Sequence, residues 1–198
     1  MATFFFLLTF FSLIFCFIFI FYVLLQKKIH KVKRVVIVAI GICCCYSTLL
    51  LLFSLVSNST TLPFNQDKCF DDWCTSVISV AKKTWGMTTT YFITLEVSSH
   101  TKRRAQKPDS PVIYVVDENG TKYLESATAK SEYEKLHGQQ RLITSQIDAQ
   151  SKYLTTMVFV LPNDSKGNLV ITEGGFPSPL IIGDEGSYLH KKSVTPLD

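Results

Sequence analysis

The residues best suited to chemistry are Cys69 and Cys74, in the stretch CFDDWC, followed by three acidic pairs and a few scattered histidines. Cys69 and Cys74 are the only cysteines in the polar part of the chain, and their pairing suits an oxidising compartment. Five residues of straight strand span about 16 Å, whereas bonded cysteines need Cα atoms within about 7 Å. Phe70-Asp71-Asp72-Trp73 must therefore turn, and Asp-Asp suits a turn. Two reduced structural thiols are the alternative.

The acidic pairs are Asp71-Asp72, Asp117-Glu118 and Asp184-Glu185. A sandwich gathers its turns at two ends, so two of these pairs brought to one end would offer oxygen ligands to Ca2+. Acidic residues are also common in turns for hydrogen-bonding reasons alone, and no EF-hand spacing is present. No other cofactor is expected. His100, His137 and His190 are far apart, with no His-x-His or His-Glu-x-x-His pattern, and read as surface residues. Neither a Gly-x-Ser-x-Gly elbow nor a phosphate loop occurs. A hydrolase would need a site assembled from scattered residues, such as His190 with Asp184 or Glu185, so the chain is expected not to be an enzyme. Asn58, Asn119 and Asn163 each begin an Asn-x-Ser/Thr triplet.

The elements that must hold these residues divide sharply along the chain. Of the 198 residues 47% are hydrophobic and 18% charged, against about 25% charged in an average protein. The deficit is local. Residues 2–25 and 35–56 carry no charge, and all 16 acidic residues follow position 66. This pattern excludes a wholly soluble globular protein, a disordered chain and a collagen-like repeat. As helices the two apolar segments would be about 36 Å and 33 Å long, enough to cross a hydrocarbon core of about 30 Å. The first lacks a basic leading segment and is too long for the core of a signal peptide, so it reads as an uncleaved span. Cys16 and the run Cys43-Cys44-Cys45 fall within these segments and read as small apolar side chains.

Between the spans, residues 26–34 form an expected loop carrying Lys27, Lys28, Lys31, Lys33 and Arg34 with no acid. The formal net charge of +4 is therefore the sum of +5 in this loop and −1 beyond residue 66. That accounting removes the support for nucleic-acid binding and leaves a topology signal. Positive residues favour the cytoplasmic side, which would put both ends of an integral membrane hairpin, and everything after residue 56, outside the cytoplasm. The run SHTKRRAQK (99–107) reads as a solvated loop with headgroup contact as the alternative.

Beyond a polar linker (57–68), the chain breaks into short β-type runs: 75–80, 91–97, 112–116, 121–124, 153–161, 168–172 and a short one at 180–182. Asp117-Glu118-Asn119-Gly120 between two runs marks a hairpin. Residues 126–140 are the one candidate helical or irregular insert. Such spacing indicates an all-β sandwich over 69–198, with a core of Val77, Val80, Phe92, Ile93, Leu95, Val97, Ile113, Val115, Met157, Phe159 and Val170. Trp73 is an expected partly buried anchor beside the cysteine turn.

Residues 66–197 resemble the DUF4352 family and its immunoglobulin-like relatives. The pieces that carry the resemblance are CFDDWCTSV (69–77), YFITLEVSS (91–99), VIYVVDENGTKY (112–123), TTMVFVLPND (155–164) and GGFPSPLIIGDEGSYLHKK (174–192). It implies an immunoglobulin-like antiparallel sandwich, bacterial origin and surface exposure, and no catalytic residue. Such domains usually follow a lipoprotein signal or a single span, and the two-span hairpin departs from that. The sequence thus leads to a membrane-tethered, non-enzymatic module that contacts the lipid bilayer and an envelope protein or surface component. A ligand- or calcium-sensing domain is the alternative.

Overall fold

A computed structural model describes residues 2–27, 29–70, 73–163, 165–182, 184–187 and 190–197. It divides into two compact units: Met1–Asn58 with Gly175–Lys191, and Ser59–Gly174 with Lys192–Asp198.

In the first unit, helix α1 runs Ala2–Leu25 and helix α2 runs Ile29–Val56. Both are long and apolar enough to cross a membrane, with mean hydropathy of 2.8 and 2.6 over their most apolar stretches. Val, Ile and Phe are poor helix formers in water, but in lipid a backbone polar group without an internal partner is far costlier than those preferences. The two helices pack on each other through a short turn, where Lys27 takes φ 56°. The expected loop 26–34 is therefore corrected. Helix α2 begins at Ile29, and Lys31, Lys33 and Arg34 stand on its first turns. Lys and Arg are good helix formers and their long stems can lie along apolar surface, so the charges do not prevent the helix. Lys28 lies outside the described residues. Residues 175–191 contain a 3-10 turn at Ser178–Leu180 where a strand is expected at 180–182. Pro177 and Pro179 explain the difference, because neither can donate to a β-ladder.

The second unit is a β-sandwich of two four-stranded sheets. The strands are β1 (Lys68–Cys69), β2 (Trp73–Trp85), β3 (Thr88–Ser99), β4 (Pro111–Val116), β5 (Lys122–Tyr123), β6 (Lys152–Pro162), β7 (Asn168–Glu173) and β8 (Val194–Pro196). One sheet is ordered β1-β2-β3-β6 and the other β5-β4-β7-β8, every named pairing being antiparallel. Helix α3 (Ala127–His137) makes the domain more than β alone, which corrects the all-β expectation. The linker is not free chain: Thr61 bridges Val194, and Asn65 donates to the Val77 carbonyl at 2.9 Å.

The core lies between the sheets. On β3 the odd residues Tyr91, Ile93, Leu95 and Val97 are buried and face Phe159 and Met157 across the register. From the other sheet come Ile113, Val115, Leu169 and Ile171, with Ile147 and Leu197 closing the cluster. Strand β2 joins this core through a bulge. Val77 pairs with Leu95 and Val80 with Ile93, so Ile78 is an extra residue that lets two valines three apart share one face. Phe92, an expected core residue, is half-buried on the opposite face of β3 from Ile93, whereas Val170 is buried as expected but on the opposite face of β7 from Leu169 and Ile171, because side chains alternate along a strand.

Candidate functional site

The outer face of the long sheet is where the chain builds a recess. Strand β2 offers Ser79, Ala81, Lys83 and Trp85 to that face, β3 offers Thr90, Phe92 and Thr94, and β6 offers Val160. The two long strands meet in a two-residue hairpin turn, Gly86-Met87, with Trp85 opposite Thr88. Gly86 has φ 55° while Met87 does not take positive φ, which fits a type II′ turn and explains the glycine. Asn163 braces this tip: its side-chain oxygen accepts from Thr89 Oγ1 at 3.0 Å and its amide donates to the Gly86 carbonyl.

Helix α3 forms the second wall. Ser126 caps its first turn by accepting from the Ala129 N–H, and the Ser126 N–H is tied to the Val158 carbonyl of β6 at 2.8 Å. Gly138, at φ 84°, ends the helix and donates to the Glu134 carbonyl. Lys135 in the last turn suits the negative end of the helix dipole. Tyr133 lies 5.3 Å from Phe92 between ring centroids and stacks on His137 at 4.2 Å. The helix therefore sits on the sheet through an aromatic contact, and the remaining space between it and β2 is a groove of about 760 Å³. Its lining mixes Trp85, Phe92, Tyr133 and Leu136 with Thr90, Thr94, Lys83, Glu132 and His137. Trp85 and Leu136 are 68% and 82% exposed, so apolar surface faces water at both lips. The Lys83 ammonium stands 5.0 Å from the centroid of the Trp85 ring, a cation–π contact at the lip. A concave, largely apolar surface with a few polar groups is the ordinary form of a small-ligand site.

The residues singled out from sequence have other surroundings. Cys69 and Cys74 form a disulfide, with Cα atoms 4.0 Å apart. The turn between them is closed by the Phe70 N–H on the Trp73 carbonyl at 2.8 Å. Phe70 stacks on Trp73 at 4.5 Å, and the Trp73 indole donates to Glu173 Oε1 at 2.6 Å. Trp73 is thus a fully buried anchor, 2% exposed, which corrects the expectation of partial burial, because the indole is held by Glu173 and covered by Phe70. Asp71 and Asp72 lie outside the described residues.

Asp117 is buried at the β4–β5 turn. Its Oδ1 accepts from the Asn119 and Thr121 N–H groups at 2.9 and 2.8 Å, and its Oδ2 from the Tyr123 hydroxyl at 3.1 Å. Burial alone would raise its pKa. The hydrogen bonds from Thr121, Tyr123 and Asn119 outweigh burial and hold the carboxyl below the usual range. Burial and the facing Asp117 together push the Tyr123 phenol up. This carboxylate organises its turn, as acidic residues in turns generally do. Glu118 is exposed and 3.8 Å from Lys166. Asp184 accepts from Ser178 Oγ and the Gly186 N–H, both at 2.6 Å, within residues 175–191. Glu185 stands beside it in sequence. Among the described residues the one convergent group of metal-ligating side chains holds no carboxylate: Cys69, Cys74 and His100, whose ligand atoms lie within 4.8 Å of one another.

Sequence reasoning missed the groove and the place of His100. The alternation of β3 already set Phe92 apart from Ile93, but only α3 folding back onto the sheet makes a recess there. His100 follows Ser99, which pairs with Trp73 across the sheet, so the register brings it beside the cysteine turn.

No family model matches the chain, and no curated protein is similar to it in sequence. Among solved structures, a conserved hypothetical protein of Bacillus anthracis is 19% identical, over 55% of this chain and 88% of its own, with a TM-score of 0.46. An uncharacterised β-sandwich protein of Clostridium difficile is 12% identical, over 72% and 96%, with a TM-score of 0.46. A candidate lipoprotein of Bacillus subtilis is 13% identical, over 67% and 38%, with a TM-score of 0.41.

Proposed function

We propose that the chain is a membrane-tethered binding module, held by α1 and α2 with its sandwich outside the cytoplasm, that takes an envelope component into the groove between α3 and the long sheet. It acts by binding rather than by turnover. The observation that carries this reading is the groove itself, with Trp85, Phe92 and Tyr133 set among hydroxyl, carboxylate and imidazole groups. A sugar ring has a flat C–H face and a rim of hydroxyls. The exposed Trp85 ring at the lip suits the first, and Thr90, Thr94, Glu132 and His137 suit the second. An envelope glycan is therefore the ligand class this lining fits best. The basic residues at the α1–α2 junction support the orientation through the positive-inside tendency. The DUF4352-like, immunoglobulin-like resemblance of residues 66–197 agrees with this reading.

The test is co-sedimentation of the full chain, in lipid nanodiscs, with insoluble cell-wall glycan. Retention that falls at least about tenfold in a Trp85→Ala/Phe92→Ala variant is expected, a loss of about 1.4 kcal/mol or more. Retention equal in both proteins would remove the groove from the reading. No retention, with a photo-crosslinker at Leu136 capturing one protein in intact cells, would replace the glycan by a protein partner.

A further inference from the structure

We propose that Cys69, Cys74 and His100 form a redox-gated site for a soft closed-shell cation of the Zn2+ or Cu+ class, closed while the disulfide stands and opened by its reduction. The site goes beyond the groove and lies on other residues.

The geometry comes from strand pairing. Cys69 on β1 is directly opposite Cys74 on β2, and Trp73 is opposite Ser99, the last residue of β3. His100 is therefore the first residue beyond the ladder, beside the cysteine turn, and the ligand atoms of all three lie within 4.8 Å of one another. Neighbouring ligands of a tetrahedral ion with thiolate and imidazole donors stand about 3.5–3.8 Å apart. The three atoms already occupy nearly that space. Opening the disulfide needs the two sulfurs to part. Cys74 is buried and fixed within the long strand β2, whereas Cys69 is exposed on an edge strand of two residues and can give way. His100 is exposed, so a cation has a route from solvent. Two thiolates and one imidazole are a soft donor set, and the fourth position stays open to water.

The chemistry balances without redox change at the metal. A dithiol reductant transfers two electrons and two protons to the disulfide, becoming a disulfide itself and leaving two thiols on the chain. The cation then displaces both thiol protons, and neutral imidazole completes the set.

The experiment uses the full chain in lipid nanodiscs, with Cys16, Cys43, Cys44 and Cys45 replaced by alanine so that the spans contribute no thiol. After phosphine reduction and its removal, Co2+ is titrated and then displaced with Zn2+. One cobalt per chain is expected, with a thiolate-to-cobalt charge-transfer band that the oxidised chain lacks. A His100→Ala variant should keep both thiols yet bind at least about tenfold more weakly. A Cys69→Ser/Cys74→Ser variant should show no band. The proposal is overturned by any of three results: a reduced chain with no more band than the double serine variant, an unchanged affinity in His100→Ala, or unfolding of the chain on reduction before metal is added, read by far-ultraviolet circular dichroism.

Discussion

The two faces of the long sheet are made by the same strands and do opposite work. Toward the core, Tyr91, Ile93, Leu95 and Val97 are at most 4% exposed and pack against Phe159 and Leu161. Toward the outside, Thr90, Phe92, Thr94 and Glu96 alternate with them and stay half-buried under or beside α3. The inner face is closed, apolar and redundant in its contacts. The outer face mixes hydroxyls, charges and aromatics, and helix α3 covers only part of it. Stability should therefore respond to the inner face and ligand retention to the outer one.

Backbone register is the severest way to break this division. Deleting Thr94 would turn Leu95 and Val97 outward, because a one-residue slip exchanges the faces, and the sandwich should fail to form. Deleting Ile78 should be tolerated, since it is the extra residue of the bulge and its loss leaves Val77 and Val80 facing inward. Circular dichroism of the two deletion variants decides this, and a folded Thr94 deletion would sink the account. Next in size, Phe159→Ala should cost about 3–5 kcal/mol in denaturant unfolding, as expected for a fully buried aromatic. Replacing Cys69 and Cys74 by serine should cost about 2 kcal/mol on the chain-entropy estimate for so short a loop. Phe92→Ala, one step away from Ile93, should cost under about 2 kcal/mol while lowering retention on the proposed glycan, because it is only partly buried and touches Tyr133 where α3 seats on the sheet. An equal loss of stability for Phe92→Ala and Phe159→Ala would erase the distinction between the faces.

The smallest effect concerns pH. The folded carboxyl of Asp117 is held below its unfolded value, so the unfolded state binds more protons as pH falls. Its contribution is fully present above an unfolded pKa of about 3.9 and is lost as pH drops through the depressed folded value. Acid unfolding of Asp117→Asn should be flatter than that of the native chain over that window. Parallel acid limbs would show that the turn does not depend on the ionised form.

Much of the sandwich is legible in the sequence because strand alternation is a local property. The strands around 91–97, 112–116, 153–161 and 168–172 stand where the apolar periodicity puts them, and the Asn-Gly hairpin turns where its glycine allows, at φ 81° for Gly120. Parity is harder. Phe92 and Val170 are apolar enough for a core, but their neighbours claim the inner face, and only pairing decides which set wins. Strand β8 has three residues and no periodicity to show. The groove is less legible still, since it depends on a helix returning to a sheet, and the nearness of His100 to the cysteines depends on register. The cysteine turn was legible because a five-residue separation leaves the chain little choice once a bond forms.

The β2–β3 hairpin also sets an order of events in folding. Its strands are joined by two residues, so its contacts begin with a small loop, whereas even the nearest residues of the β3–β6 pair, Ser98 and Lys152, are 54 positions apart. Hairpins form in about 1–10 μs, ahead of pairings that must close long loops. Amide protons of β2 and β3 should then gain protection before those of β6 in a refolding pulse. On that schedule the strands that line the floor of the groove are laid down before α3 has a sheet to close against, and the recess is among the last features of the domain to exist.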